Sequence, residues 1–253
     1  MKKILRIVAY AQAGLALLTA GMSNAADYSA VLQWSQLSAV SAAVPGRVER
    51  VLVQAGQQAK PGELLLVLDP AVYQAEVMAA RAEVSGLGAD EAEAKRNIDR
   101  EQELYNRTIT PTTELDAAKL RYAQAKAKLD AAQARLERAR QRLAEAEVRA
   151  PFPAVVVERQ AEPGVVVAQC QPQPLLTLAR SDEMLARATL SPAQAAGLSL
   201  GAAATVVIGD KSQVGKVRSL RYVAGDKPGY LLDVAIPRPA HALAGQAATI
   251  KLP

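Results

Sequence analysis

Residues 115–146 read LDAAKLRYAQAKAKLDAAQARLERARQRLAEA. Leu115, Tyr122, Leu129, Leu136 and Leu143 recur every seventh residue, and Ala118, Ala125, Ala132, Ala139 and Ala146 follow each of them three positions later. A strict period of seven keeps one seam facing a partner helix and imposes a left-handed supercoil. Alanine at every second seam position lets the partner backbone come close. The stretch is one arm of a coiled coil. Two helices of an ordinary bundle are the competing reading, but five heptads exceed what a small bundle needs.

The partner arm lies just upstream. Between Val72 and Tyr105 one heptad row holds Tyr73, Ala80, Leu87 and Ala94, and the other holds Val77, Val84, Ile98 and Tyr105. The fit is poorer than downstream. Glu91 and Glu101 fall on seam positions, and Gly86 and Gly88 each weaken a helix by roughly 1 kcal/mol relative to alanine. Charge supports the pairing. Asp69 to Glu103 carries nine acidic and four basic side chains, whereas Glu114 to Arg149 carries six acidic and nine basic. An acidic and a basic arm lying antiparallel attract along their flanks. Asn106 to Pro111 supplies the reversal, with Thr110 or Thr112 as the expected N-cap and Pro111 in the first helical turn. Arms of about 35 residues reach roughly 50 Å.

On both sides of this insertion the pattern turns to short β-branched and leucine runs punctuated by glycine. Upstream are Val44-Pro45-Gly46-Arg47-Val48, Val51 to Val53, Gly56, Lys60-Pro61-Gly62-Glu63 and Leu64 to Leu68, ending at Asp69-Pro70. Downstream are Phe152 to Val157, Glu162-Pro163-Gly164, Val165 to Val167 and Leu175 to Leu178. Gly46 and Gly56 are ten residues apart, as are Ala154 and Gly164, and Gly62 and Cys170 each lie six further on. This is an internal repeat interrupted by the heptads. Each half is too small to bury a core, so the two are expected to close on each other as one sandwich.

At the ends the pattern changes again. Tyr28, Ala30, Leu32 and Trp34 alternate toward one face of a strand, with Trp34 expected as a barrel or core residue. From Met184 onward come short strands with turns at Gly209-Asp210 and Gly225-Asp226. They are interrupted by one short helix, Ala193 to Leu198, opened by Ser191-Pro192. That spacing suggests a small closed barrel.

Composition narrows the function. Lys2, Lys3 and Arg6 precede an apolar run from Ile7 to Ala20, and Ser23-Asn24-Ala25 resembles a small-residue cleavage site. The start reads as a signal peptide removed at about Ala25 or Ala26, with an uncleaved anchor as the alternative. The net charge of +5 then falls to +2, with 27 basic against 25 acidic side chains, and no basic footprint for nucleic acid remains. Cys170 is the only cysteine and His241 the only histidine. No internal disulfide, metal cluster or Cys–His pair can be assembled from them. Cys170 is expected as a turn or core residue and His241 as an exposed loop residue. A hydrolase would lack its base.

With its parts in this order, the chain resembles the periplasmic adaptor proteins of tripartite efflux and secretion systems, the membrane fusion proteins of the HlyD type. The residues carrying the resemblance are Val44-Pro45-Gly46-Arg47-Val48, Val53-Gln54-Ala55-Gly56, Pro61-Gly62-Glu63-Leu64-Leu65, Leu68-Asp69-Pro70, Arg149-Ala150-Pro151-Phe152, Glu162-Pro163-Gly164 and Leu243-Ala244-Gly245-Gln246. The resemblance implies an elongated α+β chain: a split lipoyl-like β-sandwich, an inserted antiparallel coiled-coil α-hairpin, and a small β-barrel. On that scheme residues 1–25 are the signal peptide, 26–43 an N-terminal strand joining the barrel, and 44–69 the first lipoyl-like half. Residues 70–148 are the hairpin, 149–179 the second half and 180–253 the barrel.

The resemblance further implies a periplasmic, non-catalytic protein without cofactor, held at the inner membrane by its transporter. The hairpin tip would meet an outer-membrane channel of the TolC type. The barrel side would dock on a resistance-nodulation-division (RND) or ABC transporter, and six copies would form a ring. The family's tip motif is an Arg, a Leu four later and a Ser seven beyond that. Arg100 and Leu104 match, and the Ser position falls on Pro111 by strict count or on Thr110 if the tip is shifted by one. Arg107 stands beside them as a second donor for channel carbonyls or carboxylates. Two further departures are Pro153-Ala154 in place of the usual Asp-Gly and Cys170 in place of a turn glycine. The chain also ends at Pro253, leaving little or nothing of the membrane-proximal domain that many members carry. Two rivals remain. A lipoyl or biotin carrier would need a modified lysine at a tight turn, where Asp69-Pro70 and the insertion stand. A structural coiled-coil protein of the envelope would bind neither channel nor transporter.

Overall fold

The computed structural model describes residues 27–168, 173–224 and 228–252. The expected signal peptide, Cys170 and the turn at 225–227 lie outside the described residues. In chain order the elements are β1 (Asp27–Trp34), β2 (Leu37–Val40), β3 (Gly46–Val51), β4 (Gln58–Ala59), β5 (Leu64–Leu68), α1 (Ala71–Asn106), α2 (Thr112–Glu145), β6 (Glu147–Arg149), β7 (Ala154–Arg159), β8 (Val166–Val167), β9 (Leu176–Arg180), β10 (Glu183–Leu190), α3 (Pro192–Ala195), β11 (Ala203–Ile208), β12 (Lys211–Val223), β13 (Gly229–Pro237) and β14 (Ala247–Lys251). They fall into two units: Leu37–Arg180, and Ser181–Pro253 together with the residues up to Gln36.

The first unit contains two four-stranded sheets, ordered β2-β9-β7-β4 and β6-β5-β3-β8. Each mixes strands from both sides of the helical insertion: β4 pairs with β7, β3 with β8 and β5 with β6. Place by place, β6 stands for β2, β5 for β9, β3 for β7 and β8 for β4. The step from Gly46 to Ala154 equals the step from Gln58 to Val166. The glycine-spaced repeat is therefore two copies of one topology that exchange strands. Leu65, Leu66 and Leu68 from the first copy and Leu175, Leu176 and Leu178 from the second are all fully buried in one cluster. At roughly 2 kcal/mol for each buried leucine, neither copy keeps this stabilisation alone.

Two boundaries differ from the reading of the sequence. Glu147–Arg149 falls inside the stretch assigned to the hairpin, yet it is a strand whose Val148 sits opposite Leu66. Val148 is buried between exposed Glu147 and Arg149, a period of two that a helix cannot satisfy. Likewise, the 26–43 segment does not go wholly to the barrel. Its β2 pairs with β9 of the sandwich.

The helices pair antiparallel. Arg142 meets Glu76 at 3.1 Å and Arg135 meets Glu83, so α2 retreats seven residues as α1 advances seven. The Lys95 ammonium lies over the Tyr122 ring, 5.9 Å from its centroid. Every α2 seam position read from the heptad is buried or half-buried. At the base, the Tyr73 hydroxyl donates to the Pro45 carbonyl, tying α1 to the sandwich. The Asp69 carboxylate accepts from the Ala71 N–H at 3.1 Å and pairs with Arg47 at 3.3 Å.

The second unit is a closed barrel, ordered β1-β10-β13-β12-β11-β14. β1 closes it by pairing with both β10 and β14. Ala30 and Leu32 point into its core, and Trp34 packs partly buried against that core with the Arg238 guanidinium 5.0 Å from its ring centroid. Ser191 caps α3 as expected, in a reciprocal capping box with Gln194. The helix is shorter than the sequence suggests, because Gly197 takes a left-handed φ of 92° soon after Ala195. One buried acid was not anticipated. Asp233 accepts two bonds from Arg187, at 2.6 and 3.0 Å, and one from the Ser219 hydroxyl at 2.9 Å. Burial alone would raise its pKa, but these bonds outweigh burial and hold it below the usual carboxylate value.

Candidate functional site at the hairpin tip

The reversal between α1 and α2 occupies residues 107–111. The Thr108 N–H donates to the Tyr105 carbonyl at 2.8 Å, and the Ile109 N–H to the Leu104 carbonyl at 3.0 Å. This crossed pair is a Schellman closure, which satisfies carbonyls that the helix end would otherwise leave free. The motif needs a left-handed residue just past the C-cap, normally glycine. Here that residue is Thr108, at φ 61°, the only non-glycine described at positive φ. A β-branched side chain there costs about 1 kcal/mol or more.

The far side of the turn also departs from the expected chemistry. Neither Thr110 nor Thr112 caps α2. Pro111 itself is the N-cap, extended at φ −73° and ψ 159°, with no side-chain cap bond, and Thr112 is the first helical residue. Proline has no N–H to satisfy and its fixed φ suits a helix entry. Its extended ψ delays the helix by one residue. The first backbone bond of the entry runs from the Glu114 N–H to the Pro111 carbonyl at 3.2 Å. The Thr110 hydroxyl oxygen is buried without a hydrogen-bond partner among the described residues.

Leu104, Arg107, Thr110 and Pro111 thus come together at the reversal. Arg107 pairs with Glu103 at 2.5 Å, one turn back on its own helix. Both partners are about two-thirds exposed, so the pair is worth little and either can be re-paired by a partner at small cost. Arg100 does not join them. It lines a polar groove on the hairpin flank with Asp90, Glu93, Asn97 and Arg121, and donates to the Asn97 side-chain oxygen at 2.6 Å.

Two seam assignments exchange roles near the tip. Leu104 is half-buried, while Tyr105, expected on the seam, is 40% exposed. Steps of three and of four both keep a helical residue on the inner face, and after half-buried Glu101 the chain takes three. The most prominent apolar group of the turn is Ile109, at 64% exposure. The sequence reading missed it. Its signal was an apolar residue standing alone in a polar turn. The tip offers no acid–base or nucleophile pair. It presents two exposed apolar side chains, Ile109 and Tyr105, and an exchangeable Arg–Glu pair, which is the chemistry of a contact surface.

Among the described residues, no helix is long and apolar enough to cross a membrane. The model of the CzcB-like barrel-sandwich hybrid domain family matches residues 36–179, the sandwich together with its inserted hairpin. Macrolide export protein MacA of Yersinia pestis is 30% identical over 187 residues, 68% of this chain and 50% of that protein. The chain therefore spans about half the length of that relative. Among solved structures, the membrane fusion protein Spr0693 from Streptococcus pneumoniae R6 aligns with a TM-score of 0.64 at 18% identity, covering 89% of this chain and 97% of that one. A MacA-MexA chimeric protein containing the Pseudomonas aeruginosa MexA α-hairpin domain aligns with a TM-score of 0.60 at 21% identity, covering 89% and 79%. These structural likenesses bear on the fold alone. Two strand-exchanging half-modules split by a coiled-coil hairpin, joined by a family match over more than half of its length, place this chain in the membrane fusion (adaptor) family with a CzcB-like barrel-sandwich hybrid domain.

Proposed function

We propose that this chain is the periplasmic adaptor of a tripartite export assembly. It links an inner-membrane transporter of the RND or ABC class to an outer-membrane channel of the TolC type. In this reading the signal peptide directs it to the periplasm, where several copies, six by family resemblance, stand side by side. Its task is mechanical. The sandwich holds the base of the hairpin, and α1, with 36 residues, carries the tip roughly 50 Å away. The observation that carries the reading is the tip itself: an apolar side chain, Ile109, held out on a strained turn at the far end of two long paired helices.

The contact set is Ile109 and Tyr105 for apolar burial, Arg107 for a charge-assisted bond, and Thr110 and Pro111 for the shape of the turn. Leu104 contributes through the seam. Arg100 contributes from the flank, where four of its five guanidinium N–H groups remain for a partner beyond its bond to Asn97. Replacing Ile109 by aspartate tests this. The Ile109→Asp protein should keep its melting temperature yet no longer co-purify with the outer-membrane channel of its own host. Undiminished co-purification would refute the tip assignment.

A further inference from the structure

The barrel contains a cavity that the adaptor reading does not use. It has a volume of about 140 Å³ and lies between the β11–β12 turn and the loop that joins β13 to β14. Its apolar wall includes Ile208, Pro239 and Ala242, and its polar members include Lys211, Gln213 and His241. Among the described residues no carboxylate lines it. Among the described residues, neither the Lys211 ammonium nor the His241 ring has a hydrogen bond or ion pair, and the Gln213 side-chain oxygen is buried without a partner.

We infer that this cavity binds a small organic acid: an apolar body the size of one six-membered ring, bearing a single carboxylate. Size sets the first half of the assignment. An apolar cavity of roughly 150 Å³ accepts benzene, and the wall here has that character. Charge sets the second half. Among the described lining residues the ionisable groups are Lys211 and His241, and an ammonium with no protein partner favours an anion at its donor end. The His241 ring, on the same lining, offers a second N–H donor. The inference does not rest on the adaptor reading, since it needs neither channel nor transporter.

His241 is the only histidine in the chain, so its ring proton resonance reports on this cavity alone. The experiment titrates sodium benzoate into the purified mature protein and follows that resonance. Sodium acetate and benzyl alcohol serve as half-ligands, the first lacking the ring and the second the charge. The expected result is a saturable shift with benzoate and none of comparable affinity with either half-ligand. Lys211→Met should weaken benzoate binding about tenfold, the effect of losing one charge-assisted bond. The Trp34 fluorescence of the variant, unchanged from that of the parent, would establish that the barrel is intact. A shift that grows linearly without saturating, equal binding of acetate or benzyl alcohol, or undiminished binding by a folded Lys211→Met protein would each overturn the inference.

Discussion

The shaft of the hairpin and its tip are built from one continuous stretch of chain under opposite rules. Along the seam of α2 the local preferences agree. Alanine and leucine favour the helix, the heptad places them on one seam, and the flanking charges pair across the helices, as at Glu76–Arg142 and Glu83–Arg135. In the tip several preferences are violated at once. A threonine occupies a glycine conformation, a helix starts on a proline without a side-chain cap, a hydroxyl is buried without a partner, and an isoleucine faces water. The shaft is stabilised by what it hides. The tip is less stable than it could be, and what it gains is an exposed apolar group at a fixed place. Conflicts of this kind gather where a surface serves a partner.

The difference can be attacked from both ends. The largest effect is expected in the shaft. Ala132 is fully buried on the seam, so Ala132→Asp places an unpaired carboxylate there and should destabilise the hairpin by about 3 kcal/mol or more. Thermal melting followed by helical circular dichroism measures it. A change under 1 kcal/mol would mean that the seam is not packed as described. A smaller effect of opposite sign is expected at the tip. Thr108→Gly relieves the left-handed strain and should stabilise the protein by about 0.5–1 kcal/mol in denaturant titration. A loss of stability would show that Thr108 is not strained. The smallest effect belongs to the shaft's outer charges. Glu83→Gln should cost under about 0.5 kcal/mol, and less still at high salt, because both partners of the pair are more than a third exposed.

The shaft was legible in the sequence because a seven-residue period over five repeats has almost no other physical reading. The sandwich was legible from the recurrence of apolar runs around Gly56 and Gly164, since turns that need positive φ fix where the strands end. Gly56 and Gly164 take φ 87° and 94°. The three-residue strand β6 was not legible. Glu147-Val148-Arg149 continues the charged texture of α2, and only the edge of β5 draws it out of the helix. The tip was legible in position but not in detail. Thr110-Pro111-Thr112 offers two threonines for one cap, and the backbone uses neither. Leu104 and Tyr105 both suit the seam, and only the closure of the turn decides between them. Thr108 carries no glycine signal at all. The Arg187–Asp233–Ser219 group was invisible because its members lie on three strands that become neighbours only in the closed barrel.

The most direct test replaces Ile109, and in a second protein the shaft residue Gln133, with the photo-crosslinker p-benzoylphenylalanine in the living host. Both positions are exposed, and they differ in whether they belong to tip or shaft. After irradiation, adducts with an outer-membrane channel of the TolC type should form from position 109 and not from position 133. Channel adducts from the shaft alone, or from neither position in a host whose export is intact, would contradict the division of labour drawn here.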